Sequence, residues 1–344
     1  MQQSHTLSPA FRQRMFLWSL PALLMLVACR PLHAQSAASL QTTVDAIAAT
    51  HRGKVALFAE DLKTGQTLSL NAGTPVPTAS IIKLTILYEA LEQIREGKTS
   101  LEAPVVLTKA NQVPGSGVLL FFDTPLTLTL KDALSMMIIQ SDNTATNVVI
   151  DKLGMANINA RIQSLGLKHT HLFGKVFMPS PGPMTPEHKK FGLGETTPRE
   201  MAEVMQKLIT CQLAEPGHPA APGDAALCGF ARYILESQSD RNGIPRYLEA
   251  IDTTDHGSDI ANKTGALDAV RNDVAAISTK NGVVILSIFT YDNQDQSWTA
   301  DNESYITIAK LAKAIVDAWS PQGLADWPAV SVLASPKEAG KSAR

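Results

Sequence analysis

At 344 residues the chain is long enough for one large domain or two small ones, and with 44% apolar and 18% charged residues it can bury an ordinary globular core. Its formal net charge is -2, and no run of lysine or arginine is dense enough to track a phosphate backbone, which argues against nucleic acid as a partner. An acidic tail is absent as well.

The first 34 residues read as an export signal: Arg12 and Arg14 precede an apolar stretch from Met15 to Cys29 that is short for a bilayer span. Two exits fit it. Leu26-Val27-Ala28-Cys29 has the form of a bacterial lipoprotein box, which would tie the mature chain to a membrane through Cys29. Leu32-His33-Ala34 has the form of an ordinary signal-peptidase site. Either exit puts the mature chain outside the cytoplasm, in the periplasm or secreted, where disulfides persist.

An amphipathic helix is expected over Leu40–Ala49, then two strands, Lys54–Asp61 and Gln66–Asn71, split by Lys63-Thr64-Gly65 into a hairpin. Ile81–Ile94 is the most strongly apolar helix-length run of the mature chain. A loop region through Pro114-Gly115-Ser116-Gly117 follows. A helix after Thr129 carries Leu130, Ala133, Leu134, Met137 and Ile138 at helical spacing and stops at Ser141-Asp142-Asn143. Further helices are expected over Thr144–Leu153, closed by Gly154, and Asn157–Leu165, closed by Gly166. His169–Gly194, with Pro179, Pro181, Pro183 and Pro186, reads as a long surface loop. Thr197-Pro198-Arg199-Glu200 is a capping box with proline at the first helical position, opening a helix to Ile209. Phe230–Glu236 is helical. Three strands follow, Ile260–Lys263, Val270–Thr279 and Gly282–Tyr291, the last two joined through Asn281-Gly282. Glu303–Trp319 is an amphipathic helix, and residues 321–344 look like a disordered tail.

Two strands near the start and three near the end, with helices between, predict an α/β chain of the α+β type. One five-stranded antiparallel sheet, flanked by helices, is interrupted by an all-helical subdomain over roughly residues 80–220. A site would fall in the cleft between them. Cys211 and Cys228 bracket a Pro-, Gly- and Ala-rich stretch, Glu215 to Gly223. A disulfide closing this loop is the natural reading, against two independent buried thiols.

Serine at a helix start is ordinarily a cap, but Ser80 is followed three residues on by Lys83, which lies on the same helix face. Apolar residues surround this helix on all sides, so it is buried, and burial together with the positive end of the helix dipole lowers a lysine pKa. A neutral Lys83 near pH 7 would serve as a base toward Ser80. Ser141-Asp142-Asn143 and Lys263-Thr264-Gly265 give that pair its meaning. A lone Ser-x-x-Lys is expected about once by chance in a chain of this length, and each tripeptide about one time in twenty or fewer.

With all three motifs in this order, the mature chain up to about Trp319 resembles the class A serine β-lactamases, members of the penicillin-recognising acyltransferase superfamily. The resemblance implies a β-lactamase/transpeptidase-like fold and a role for each matching residue. Ser80 is the nucleophile, Lys83 takes or relays its proton, and Ser141 passes a proton to the leaving nitrogen. Asn143 binds the substrate's side-chain amide and Lys83, while Asp142 holds the turn. Lys263 places a cation opposite Ser141, Thr264 meets a substrate carboxylate, and Gly265 admits the substrate backbone. The oxyanion hole is implied at the backbone N–H groups of Ser80 and Ala266. Arg271 is either a partner for the same carboxylate or a solvated strand residue.

One departure stands against these agreements. Class A enzymes carry, on the loop before the Thr-Thr-Pro, a glutamate followed four residues later by asparagine, which activates the deacylating water. The corresponding loop here is Phe173-Gly174-Lys175-Val176-Phe177-Met178-Pro179, with no glutamate. Glu187 is the remaining candidate base, though Phe191 stands four residues on, and Glu195 is too close to the next helix cap. The gap between the second and third motifs is also wide for the family, and the cysteine loop would absorb the excess.

No third ligand accompanies His169-Thr170-His171, so neither a metal nor another cofactor is expected. Gly115-Ser116-Gly117 lacks the spacing of a nucleophile elbow, and Trp298 and Trp319 read as packing residues. The expected function is a serine hydrolase opening β-lactam rings or related acyl substrates through a Ser80 acyl-enzyme. The alternatives are a D-alanyl-D-alanine peptidase or esterase, and a protein that is acylated and stays so. The expected partner is a small β-lactam or peptidoglycan-like acyl compound, and the expected state is a monomer that meets a membrane only if lipidated at Cys29.

Overall fold

The structure is a computed structural model that describes residues 32–180, 182–213, 221, 223–248 and 258–328. The expected export signal lies outside these residues up to position 31, Cys29 included. So do residues 214–220 and 222 of the cysteine loop and 329–344 of the expected tail.

Helix α1 (Leu32–Ala49) leads into the hairpin β1 (Lys54–Asp61) and β2 (Thr67–Leu70). A short β3 (Val76–Pro77) and a 3-10 turn, Ala79–Ile82, feed α2 (Lys83–Arg95). The two-stranded sheet β4 (Pro104–Leu107) and β5 (Leu126–Thr129) precedes α3 (Leu130–Ile139), α4 (Asn143–Leu153) and α5 (Met155–Ser164). β6 (His171–Leu172), α6 (Pro186–Phe191) and β7 (Gly194–Thr196) break up the segment expected to be one long loop. Proline density hides these elements: α6 is set by Thr185, whose hydroxyl accepts the His188 N–H, with Pro186 at the first helical position. α7 (Pro198–Ile209) and α8 (Asp224–Glu236) follow, the latter beginning six residues before the expected Phe230. The chain closes with β8 (Ile260–Leu267), β9 (Val270–Thr279), β10 (Gly282–Tyr291) and α9 (Glu303–Trp319).

The main sheet runs β2-β1-β10-β9-β8 and is antiparallel throughout, so β8 is an edge. Side chains alternate between its faces. Ala56, Phe58, Val274, Ala276, Ile285 and Phe289 join the core of the helical side, while Leu57, Ala59, Ala275, Ile277, Leu286 and Ile288 pack with α1 and α9. Covered on both faces, all ten residues of β9 are buried. On the helical side α2 is the axis: every residue from Lys83 to Gln93 is buried, so a cut such as Leu87→Ala would cost about 2–5 kcal/mol. The disulfide Cys211–Cys228 is present and ties the end of α7 to α8.

Residues 321–328 depart from the expected disordered tail. The Ala325 N–H donates to Ser278 O (3.1 Å), the Lys280 N–H to Gly323 O (3.1 Å) and Trp327 Nε1 to Ser258 O (3.0 Å). The strap forms because Leu324 and Trp327 pack on the two cores, a pair of contacts too sparse to leave a periodic pattern in the sequence.

Candidate active site

Ser80 sits, half-buried, in the 3-10 turn before α2, and this turn is held from three sides. β3 pairs with β7, and both the N–H and the hydroxyl of Thr78 donate to Gly194 O, at 2.9 and 3.0 Å. From β9, Asn272 Nδ2 donates to Pro77 O and Thr78 O, at 2.9 and 3.2 Å. The edge strand β8 closes the third side. A methyl on Gly265 would lie 2.8 Å from Thr78 O and 3.0 Å from Ile81 N, so only glycine lets β8 come this close. Gly265 thus admits the Ser80 turn itself, rather than only a substrate. The residue before the serine, Ala79, is forced to φ 47°. No side chain caps the 3-10 turn or α2, so Ser80 is not a helix cap.

Lys83 and Lys263 are both fully buried, and they converge on one hydroxyl. Lys83 Nζ donates to Ser141 O (2.7 Å), Ser141 Oγ (3.2 Å) and Asn143 Oδ1 (3.2 Å). Lys263 Nζ contacts Ser141 Oγ at 3.0 Å and donates to Thr264 O at 2.7 Å. The Lys83 amine bonds Ser141 and Asn143 rather than Ser80, because Ser141, at φ 51°, turns its carbonyl onto the amine. Burial above all, and then the nearby Lys263 charge, push the Lys83 pKa well below the usual lysine value, against a smaller pull from Asp142. Burial also brings Lys263 down to about 7, although Asp240 and Asp273 oppose it.

Asp142 holds the Ser141 turn in the way the motif suggests. One carboxylate oxygen caps α4 at Ala145 N (2.8 Å) and the other accepts the Val118 and Leu119 N–H groups, at 2.7 and 2.9 Å. The Gly115-Ser116-Gly117 turn packs on this motif: a Cβ on Gly117 would lie 2.2 Å from Asp142 Cγ. Asn143 is fixed by its Nδ2, which donates to Pro114 O at 3.1 Å.

The 173–179 loop is fastened to α4. Asn147 Nδ2 donates to Val176 O (2.9 Å), its Oδ1 accepts the Val176 N–H (2.8 Å), and Lys175 pairs with Asp151 (2.9 Å). Phe177, at φ 52° and 68% exposed, is presented beside Gly115. Glu187 is exposed on the first turn of α6, and the group its charge reaches is Glu195, whose pKa rises mainly through burial and then through Glu187. No hydrogen bond among the described residues joins Glu187 to Ser80, Lys83, Ser141 or Lys263.

Arg271 is neither the carboxylate partner nor the solvated residue expected. It is fully buried, its guanidinium donating to Leu267 O, Val270 O and Ser297 O, with Trp298 stacked over it at 4.4 Å. It fastens the β8–β9 turn through its two terminal nitrogens, which donate to carbonyls, while its buried Nε has no hydrogen-bond partner. Three residues were missed: Asn147, Asn272 and Asp273. Asp273, buried, accepts from Asn262 Nδ2 (2.9 Å) and Ile244 N (2.8 Å), and burial raises its pKa to about 7. The signal for the last two was there, since Arg271-Asn272-Asp273 places three polar residues in a row in a strand that goes on as Val274-Ala275-Ala276-Ile277.

A serine at the head of a buried helix, two buried lysines about a second serine, and a glycine-bearing edge strand across a sheet-and-helix cleft define a penicillin-recognising serine acyltransferase site. The comparisons agree. The sequence profile of the beta-lactamase enzyme family matches residues 39–319, and the chain belongs to that family, with the class A serine β-lactamase-like fold. It is 23% identical to beta-lactamase CARB-3 of Pseudomonas aeruginosa over 290 residues, 82% of this chain and 91% of that protein. The crystal structure of a beta-lactamase from Sphaerobacter thermophilus is similar at 28% identity and a TM-score of 0.67, covering 82% of this chain and 97% of that one. A mutant of PBP-A, solved as an acyl-enzyme complex with penicillin G, is similar in fold at 23% identity and a TM-score of 0.65, covering 84% and 97%.

Proposed function

We propose that this member of the β-lactamase family opens β-lactam rings, or closely related acyl substrates, through an ester formed on Ser80. The observation that carries the reading is the pair of buried amines flanking Ser141 Oγ at 3.2 and 3.0 Å. Burial depresses the Lys83 pKa, which favours its base form, and Lys83, three residues from Ser80, reaches that hydroxyl by giving up one of its present bonds. Ser80 Oγ then bonds to the carbonyl carbon while its proton passes to Lys83. Breaking the C–N bond needs a proton on the departing nitrogen, and Ser141 Oγ is the group between Lys83 and Lys263 that can hand it over. The N–H groups of Ser80 and Ala266 are assigned to the oxyanion, a reading supported by the close approach at Gly265. Lys263 and Thr264 are assigned to a substrate carboxylate, and Asn143 to the side-chain amide.

Hydrolysis of the ester is the weaker half. The 173–179 loop carries no carboxylate, which favours slow deacylation and, as a second reading, a protein that remains acylated. A D-alanyl-D-alanine peptide would meet the same acylating groups. We place the mature chain in the periplasm or secreted, a reading the Cys211–Cys228 bridge supports, as a monomer that meets a membrane only through a lipid on Cys29.

Incubation with a chromogenic cephalosporin, followed by intact-mass spectrometry, tests the reading. Product should appear as a burst about equal to the enzyme, with the mass of a Ser80 adduct on the protein. Neither product nor adduct, with this compound or a D-alanyl-D-alanine ester, would overturn it.

A further inference from the structure

Phe177 stands out on two counts that folding alone does not select. A bulky L-residue in the left-handed region is strained, and a ring 68% exposed gains little from burial. The ring is nevertheless held in place, because the preceding residue, Val176, gives both its N–H and its carbonyl to Asn147 and the loop is pinned again by Lys175 on Asp151. Its location is specific too. The space a Cβ on Gly115 would occupy is 3.1 Å from Phe177 Cε2 and 2.6 Å from Asn143 Nδ2, so ring and amide border the same glycine. Val118, 40% exposed, belongs to the same turn and is held by Asp142.

We infer that Phe177 is a specificity-determining residue, its ring an apolar shelf for an aryl or similar group carried on the acyl side of the substrate, next to the amide that Asn143 binds. This rests on the acylation of Ser80 proposed above. An aryl group laid against the ring leaves water and gains an offset or edge-to-face contact, whereas a methyl group in its place is too short to cover the ring.

The test compares acylation efficiency for two penicillins with one nucleus and one amide, a phenylacetamido and an acetamido side chain. The parent protein should favour the phenylacetamido compound by about tenfold or more. In Phe177→Ala that ratio should fall about fivefold, with Phe177→Tyr restoring it and Phe177→Leu falling between. A parent ratio near one, or a ratio unchanged in Phe177→Ala even if both rates drop together, would overturn the inference and leave the Ser80 reading standing. Failure of the parent to form an adduct with either compound would remove both.

Discussion

One wall of the cleft, made by the Ser80 turn, the Ser141 turn and β8, is held by buried hydrogen bonds from β7, β9 and α4. The opposite wall, residues 173–192, is tied to α4 by Asn147 and Lys175 and offers a carboxylate only at its exposed outer part, on Glu187. The first wall carries every group that bond breaking needs, and those groups are also structural, since the same turns close the core. The second is where a water-activating base would have to stand, and its Phe177 and Glu187 are exposed, outside the core. On the proposed mechanism acylation and hydrolysis are therefore separable: a substitution in the loop tunes rates without removing the groups that form the ester.

The sharpest way to break this comparison is Ser80→Ala, which should abolish covalent labelling by any β-lactam while melting at the parent temperature, since no cap is lost. Labelling that survived would move the nucleophile elsewhere. Next in size is the hydrolytic deficit. A positioned base contributes roughly 100- to 10,000-fold, so the slow phase after the burst should lack that factor, and Glu187→Gln should leave the slow phase as it is. Steady turnover without a burst, stopped by Glu187→Gln, would show that the loop has rebuilt its base and erase the contrast between the walls. Lys83→Ala should slow acylation at least about a hundredfold in stopped-flow labelling; a variant acylating at the parent rate would assign the proton to another group.

The smallest effect concerns the rigid wall's hidden charge. Asp273 is raised from 3.8 to about 7 by burial, so between these values the folded protein holds a proton that the unfolded chain has released. Its contribution to stability is complete below pH 4, declines as pH rises, and is lost above about 7. Asp273→Asn cannot ionise and should lack this decline, gaining on the order of a few kcal/mol relative to the parent between pH 4 and pH 8 in urea titrations. A difference that stays constant over that range would show that Asp273 titrates normally.

Much of the architecture was legible because burial repeats along the chain. β1, β9, β10 and α2 show as apolar runs buried on every side and bounded by turn residues, α3, α7 and α9 show helical spacing, and the three motifs fall at element ends. What was not legible depends on contacts between distant segments with no period. Arg271 looked like a strand residue free to meet a carboxylate, since nothing near it in sequence announces Trp298 or Ser297 above it. The Gly115 and Gly117 turn read only as part of a loop region, although its glycines are set by close approach to Asn143 and Asp142. Asn147 sat unnoticed on α4 because its partner is the backbone of a loop 29 residues on.

The strap at 321–328 bears on how the molecule meets its own copies. β8 begins at Ile260, and beyond that point the end of β9 is paired instead by Leu324 and Ala325, bonded to Thr279 and Ser278, with Trp327 fixed on Ser258. Without it, Ser278 O and the Lys280 N–H at the end of β9 would lose their partners, a start for adding a strand from another molecule. A chain cut after Trp319 keeps every residue assigned to catalysis, yet it trades a closed sheet margin for a sticky one, so its catalysis and its solubility would part company.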